Sequence, residues 1–381
     1  MPFYQNKGLT PPKRHTVFKY KNKLCYEELV SREGFSSIYS NLYHLNIPTA
    51  INKVGPFNKI ELKSSNKTHK ARHITTHNLN SFGNAIDSRI PLFYNQDLTI
   101  YIAHVDTSMN FLYRNGHFDE LLYIQNGNGV IESNFGDLPY KEGDFIVIPR
   151  GVIWTHKHKT KTKMLIVESI NPIETPSKYR NKFGQLLEGV PYCERDIKIP
   201  KLNKPIESKG KHTIKVRLQN GIQEYIYTYH PFDLVGWDGY YFPWIFNIND
   251  FEPIVGSIHQ PPPVHQTFAS KNFVVCSFVP RLFDFHKKSI PAPYPHSNVD
   301  SDEFIFYCKG DFMSRKGISE ESITYHPMGF PHGPQPGKYE DSIGKKKTEE
   351  LAVMIDTFKP LSITDQALKV QDSNYYLSWN K

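Results

Sequence analysis

The sequence predicts a mainly β protein: two small barrels of sandwich or jelly-roll type, with few helices. Three observations carry that expectation. Short clusters of Tyr, Phe, Ile and Val recur along the chain, each closed off by Gly, Asn, Asp or Pro, as strands and turns require. With 28 Pro and 23 Gly, the chain leaves little room for a sustained helical period. One strand-and-turn plan also occurs twice, and 381 residues is enough chain for two such units.

Taken in order, the expected strands lie at 98–106, 120–133, 144–151, 163–170, 272–280, 303–312 and 351–358. Even spacing of short strands favours a sandwich or barrel over a βαβ fold. Helix is expected only around residues 26–29 and after Pro176. In the repeated plan, Glu120 precedes Gly127 by seven positions, and Gly143-Asp144 and Pro149-Arg150-Gly151 follow. Glu303 precedes Gly310 by the same interval, and Pro327-Met328-Gly329 follows. Both copies place a Glu at a strand mouth, a Gly at its end and a tight turn before the next strand. That plan resembles the cupin superfamily and implies a bicupin-like chain. The crossover is expected within residues 236–253, giving an N-terminal unit at 1–245 and a C-terminal unit at 246–381.

Composition narrows the function. The chain is 39% hydrophobic and 22% charged, which excludes a disordered or coiled-coil protein. No run approaches the roughly 20 apolar residues of a membrane helix, and the opening residues lack the apolar core of a secretory signal. Cys25, Cys193, Cys276 and Cys308 are scattered with no CxxC pair, so neither a disulfide framework nor a zinc knuckle is expected. The net charge of +8 comes from spread basic residues, with short runs only at 157–163 and 344–347 and no nucleic-acid-binding pattern. A cytoplasmic protein with neither nucleic-acid nor membrane partner is the expectation.

The second copy carries the chemistry. His296 and Asn298 alternate along an extended segment and so share a face. Glu303 opens the next strand, and His332 follows the Pro-x-Gly turn by three residues. Two imidazoles and one carboxylate leave about three positions of an octahedral ion open, the facial triad of non-haem Fe(II) oxygenases. Asp302 and Asp300 compete with Glu303, but the Glu303–Gly310 interval repeats Glu120–Gly127, and Asp302 is expected to point to the opposite face. In the first copy Trp154 stands where His332 does, with His117, Glu120 and His156 as an incomplete set. That barrel is expected to be metal-free and packed by apolar residues.

These residues resemble the homogentisate 1,2-dioxygenase family, and the likeness extends over most of the chain. It includes the segment starting at Cys25-Tyr26, VDTSM at 105–109, LVGWDGYYFPW at 234–244, FVPR at 278–281 and residues 330–334. The resemblance implies Fe(2+) held by His296, Glu303 and His332, with His326 and His332 near or on the substrate. It implies His259 as proton acceptor, with His265 as competitor. Ring opening of homogentisate by O2 to maleylacetoacetate, in tyrosine and phenylalanine catabolism, would follow, in a homo-oligomer such as a trimer or hexamer. Three departures stand out: six residues separate His296 from Glu303 where the family has five, Ser297 replaces an Arg, and Phe312 replaces a substrate-contacting Tyr. The missing hydroxyl removes one hydrogen bond, on the order of 1 kcal/mol. A dioxygenase for another dihydroxy-aromatic acid such as gentisate, or a metal-free bicupin binding protein, are the competing readings.

Overall fold

The structure, a computed structural model, describes residues 3–79 and 81–380. Its helical content among these residues is a set of 3-10 turns and one four-residue α-helix, Asp365–Leu368. Everything else of regular form is strand, as expected for a chain so rich in β-branched and aromatic clusters.

The repeat is realised as two sheets with one strand order. In the first, Asp144–Ile148, Asp119–Asn126, Thr162–Ser169 and Leu98–Val105 lie side by side. In the second the same places are taken by Ser322–His326, Asp302–Lys309, Leu351–Thr357 and Phe273–Phe278. Glu120 stands opposite Glu168 and Ile148; Glu303 stands opposite Asp356 and His326. Gly127 and Gly310 end their strands at φ of 93° and 101°, where a side chain is strained. A Cβ on either would sit 2.5 to 2.6 Å from a backbone carbonyl, that of Lys161 or Glu349, just ahead of the neighbouring strand.

One continuous core joins the two sheets. Leu98–Val105 is buried along its whole length, the signature of a strand covered on both faces. Phe93 meets Phe304 edge-on at 5.7 Å, and Tyr123 meets Phe306 at 6.4 Å. Strands are also exchanged: Arg72–Thr75 pairs with Ser322–His326, and Ser362–Ile363 pairs with Arg89–Tyr94. The sheets remain open and do not close into barrels. A further seven-stranded sheet, which includes Leu112–Asn115 and Ile153–His158, covers the N-terminal one.

Two helix expectations change. Residues 26–29 belong to the strand Tyr26–Ser31, because antiparallel pairing with Tyr39–His44 satisfies a backbone that lacks a 3.6-residue apolar period. After Pro176 the chain makes only the 3-10 turn Ser177–Tyr179.

That first strand pair holds a buried ion cluster. His44 Nδ1 lies 2.7 Å from Asp233 Oδ1, and its Nε2 lies 2.9 Å from Glu28 Oε2. Burial lowers the imidazole pKa, but the two carboxylates overcome this and raise it to about 9. A histidine raised above its unfolded value stabilises most below pH about 6.5, and that contribution disappears as pH rises through about 9. His44→Gln is therefore expected to cost on the order of 3 kcal/mol at pH 6 and much less at pH 9.5. Urea unfolding of both proteins at the two pH values measures this; a difference independent of pH would show that His44 is neutral in the fold.

Candidate active site

The Pro-x-Gly turn of the second copy is built as its residues demand. Gly329 takes φ of 71°, and its N–H donates to the carbonyl of Asn298 at 2.8 Å. This bond ties the turn to the segment carrying His296. A two-residue ladder follows, in which His296 pairs with His332. The imidazoles are 4.4 Å apart, and Glu303 reaches them from the mouth of its own strand. One ligand atom from each of His296, Glu303 and His332 lies within 4.8 Å of the others.

The tautomers suit a cation. His296 Nδ1 is 3.0 Å from the carbonyl of Tyr294, and His332 Nδ1 is 3.4 Å from that of Phe330. Donation from each Nδ1 leaves the Nε2 lone pair free, as metal-binding histidines are usually oriented. His332 Nε2 is buried without a hydrogen-bond partner, 3.4 Å from Glu303 Oε2. An orphaned buried nitrogen facing a carboxylate is what a bound divalent ion would satisfy. The donor set of two nitrogens and one oxygen fits Fe(II).

Electrostatics agree. Burial would raise the Glu303 carboxyl, but the hydrogen bond from His326 and then the adjacent His332 imidazole hold it well below the usual carboxylate range. It is therefore anionic and ready to ligate. Burial lowers His332 less than Glu303 raises it. His326 is pushed down to about 4, chiefly by burial. Its Nδ1–H donates to Glu303 Oε1 at 2.8 Å, and its ring stacks on His332 at 4.8 Å. His326 thus backs the ligand set, with Tyr375 and Trp379 behind it.

A cavity of about 620 Å³ opens above the three residues. Phe312 lines it, edge-on to Tyr307 at 4.5 Å, so this position offers a ring face and no hydroxyl. His259 lines the mouth; its ring stacks on Tyr294, with Nε2 3.3 Å from Tyr294 Oη. His265 is fully buried beneath the wall, with a pKa lowered to about 3 by burial and then Arg281. His326 lies outside the cavity lining. Asp302 points away, as expected: it accepts from Tyr325 Oη, Met328 N and Leu361 N at 2.7 to 2.8 Å.

Sequence reasoning missed two groups. Asp356 faces Glu303 across the ladder, and burial and then that neighbour raise its pKa to about 8. Arg315 is almost fully buried in the same cavity. Asp356 sits within an apolar strand, where only its register opposite Glu303 reveals it, and Arg315 lies in a polar loop packed against the distant Trp379. The N-terminal half holds a second surprise. Tyr113 pairs with Trp154 as His296 pairs with His332, and Tyr113 precedes Glu120 by the same seven positions. The counterpart of the ligand set is therefore Tyr113, Glu120 and Trp154, and His117 instead accepts from Gln219 N at 2.9 Å. The expectation of purely apolar packing also fails: Arg89 Nη1 binds Glu120 Oε1 at 2.7 Å and Glu168 Oε1 at 3.1 Å.

Comparison with known proteins agrees with this architecture. Residues 75–248 match the family model described as homogentisate 1,2-dioxygenase N-terminal, and 246–381 the one described as homogentisate 1,2-dioxygenase C-terminal. A protein of Saccharolobus solfataricus bearing a provisional dioxygenase name is 42% identical over 100% of this chain and 99% of its own. The homogentisate 1,2-dioxygenase of Homo sapiens is 26% identical over 75% of this chain and 67% of its own. A cupin 2 conserved barrel domain protein from Leptotrichia buccalis superposes at a TM-score of 0.38 and 13% identity, over 77% of this chain and 99% of its own. With both halves of the family's architecture matched in order, this chain belongs to the homogentisate 1,2-dioxygenase family of dioxygenases.

Proposed function

We propose that the protein is an Fe(II)-dependent dioxygenase that opens the ring of homogentisate with O2 to give maleylacetoacetate, a step of tyrosine and phenylalanine catabolism. It would act in the cytoplasm as a homo-oligomer, with the division between its units near residue 245. The reading is carried by one observation: His296, Glu303 and His332 converge, with free ligand atoms, on the cavity.

Bound Fe(II) would supply adjacent open positions at which a ring oxygen and O2 can meet. The chain's own residues do the rest. His259, at the cavity mouth, accepts the phenolic proton, with Tyr294 stacked against it to hold the ring. His326 keeps Glu303 ionised and aligned through its hydrogen bond. Phe312, Tyr307 and Phe278 line an apolar slot for the aromatic ring.

The test is anaerobic reconstitution with Fe(II), then O2 uptake and near-ultraviolet product absorbance on adding homogentisate. One O2 consumed per homogentisate is expected. Turnover of gentisate but not homogentisate would transfer the protein to a different substrate, and the lack of a hydroxyl at Phe312 is the feature that makes this comparison necessary.

A further inference from the structure

Two guanidinium groups line the cavity, and they are differently engaged. Arg281 has its counterion: Nη2 lies 3.3 Å from Glu350 Oε1, Nε 3.4 Å from Gln260 Oε1, and Nη1 3.0 Å from the Val279 carbonyl. Arg315 does not. It is 5% exposed, and its Nη1 donates to the carbonyls of Ser314 and Gly333 at 3.2 and 2.7 Å. Its Nε is buried without a hydrogen-bond partner. Among the described residues no carboxylate hydrogen-bonds to it, and Glu303, whose field reaches it, is committed to the histidines.

A desolvated cation without a counterion is costly to keep and needs a reason. The anchoring of Arg315 supplies one. Gly333 directly follows His332, and its carbonyl is shared by Arg315 and the indole N–H of Trp379, the latter at 3.0 Å. The guanidinium carbon lies 5.6 Å from the Trp379 ring. The charge is thus fixed beside the ligand loop with its fork only partly used. Phe312, three residues earlier on the same segment, gives the cavity a ring face where a hydroxyl would have bound a polar group.

We propose that Arg315 is the anion subsite of the cavity, taking the carboxylate of an aromatic acid whose ring oxygens face His296, Glu303 and His332. This deepens the ring-opening reading and rests on it. An Arg–carboxylate contact buried from water is a strong, directional bond. It replaces the interaction that Phe312 cannot make and selects acids over neutral diols.

The test uses the Fe(II)-loaded protein under nitrogen, with calorimetric titration of homogentisate and of its neutral amide. The wild type is expected to bind the acid about 10- to 100-fold more tightly than the amide, the range of a charge-assisted hydrogen bond. Arg315→Gln is expected to bind both alike. Arg315→Lys keeps the charge without the fork and should show a smaller preference. Equal binding of acid and amide by the wild type, or a preference that survives in Arg315→Gln, overturns the assignment while leaving the ring-opening reading intact. If the glutamine variant does not fold, an unchanged preference in the lysine variant has the same force. Failure of the wild type to bind either compound overturns both.

Discussion

Replacing His332 with alanine is expected to remove ring-opening activity altogether, by more than about 100-fold, because losing even the outer partners of a metal ligand costs about 10- to 100-fold. The argument rests on what remains. Glu303 keeps its 2.8 Å bond from His326, so the buried carboxylate is not abandoned when His332 goes. His296 is partly exposed and can exchange its bonds for water. The fold should therefore survive while the site drops to two ligands and loses its ion. Iron content, circular dichroism and O2 uptake, measured together, separate the outcomes. An alanine variant that holds one equivalent of iron and turns over normally would remove His332 from the mechanism. The equivalent change at His326 should be milder in iron content, since that ring supports Glu303 from behind.

The candidate site was legible in the sequence because its geometry is local. A Pro-x-Gly turn, a seven-residue interval from His296 to Glu303 and another from Glu303 to Gly310 each follow from the reach of one strand and one turn. The same locality makes the repeat visible in the sequence itself. Asp356 was not legible: it belongs to an otherwise apolar strand, and only its pairing with Glu303 reveals it. Arg315 lies in a polar loop whose burial depends on Trp379, sixty-four residues later in the chain. The strand at residues 26–29 leaves no local signal for a similar reason, since it exists by pairing with Tyr39–His44 and not by its own pattern. Exchange of Arg72–Thr75 into the C-terminal sheet is likewise a long-range pairing that leaves no local trace.

The largest stability effect is expected at Arg89, in the half that carries no ligand set. There the three ligand positions hold Tyr113, Glu120 and Trp154, yet the Glu persists at full burial. A buried carboxylate needs a cation, and Arg89 provides it, bonded to Glu120 and Glu168 with its guanidinium 5.7 Å from the Tyr113 ring. Arg217 and Tyr101 complete the cluster on Glu168 at 3.3 and 2.9 Å. A fixed guanidinium thus offsets the charge of Glu120 in the half where Tyr113 and Trp154 stand in place of His296 and His332. Arg89→Met would leave two buried carboxylates with one cation fewer, and the expected loss is about 3–5 kcal/mol. Burial already raises the Glu120 pKa despite Arg89, and removing Arg89 would raise it further. A carboxyl raised in the folded state binds protons more readily there than when unfolded, so the variant loses stability as pH rises from the unfolded value through the folded one. Urea unfolding should accordingly show the largest gap from wild type at pH 8 and a smaller one at pH 5. Adding Glu120→Gln should restore part of the loss, since the orphaned charge is what destabilises. If Arg89→Met unfolds within about 1 kcal/mol of wild type at pH 8, the cluster is incidental, and the persistence of Glu120 needs a different cause.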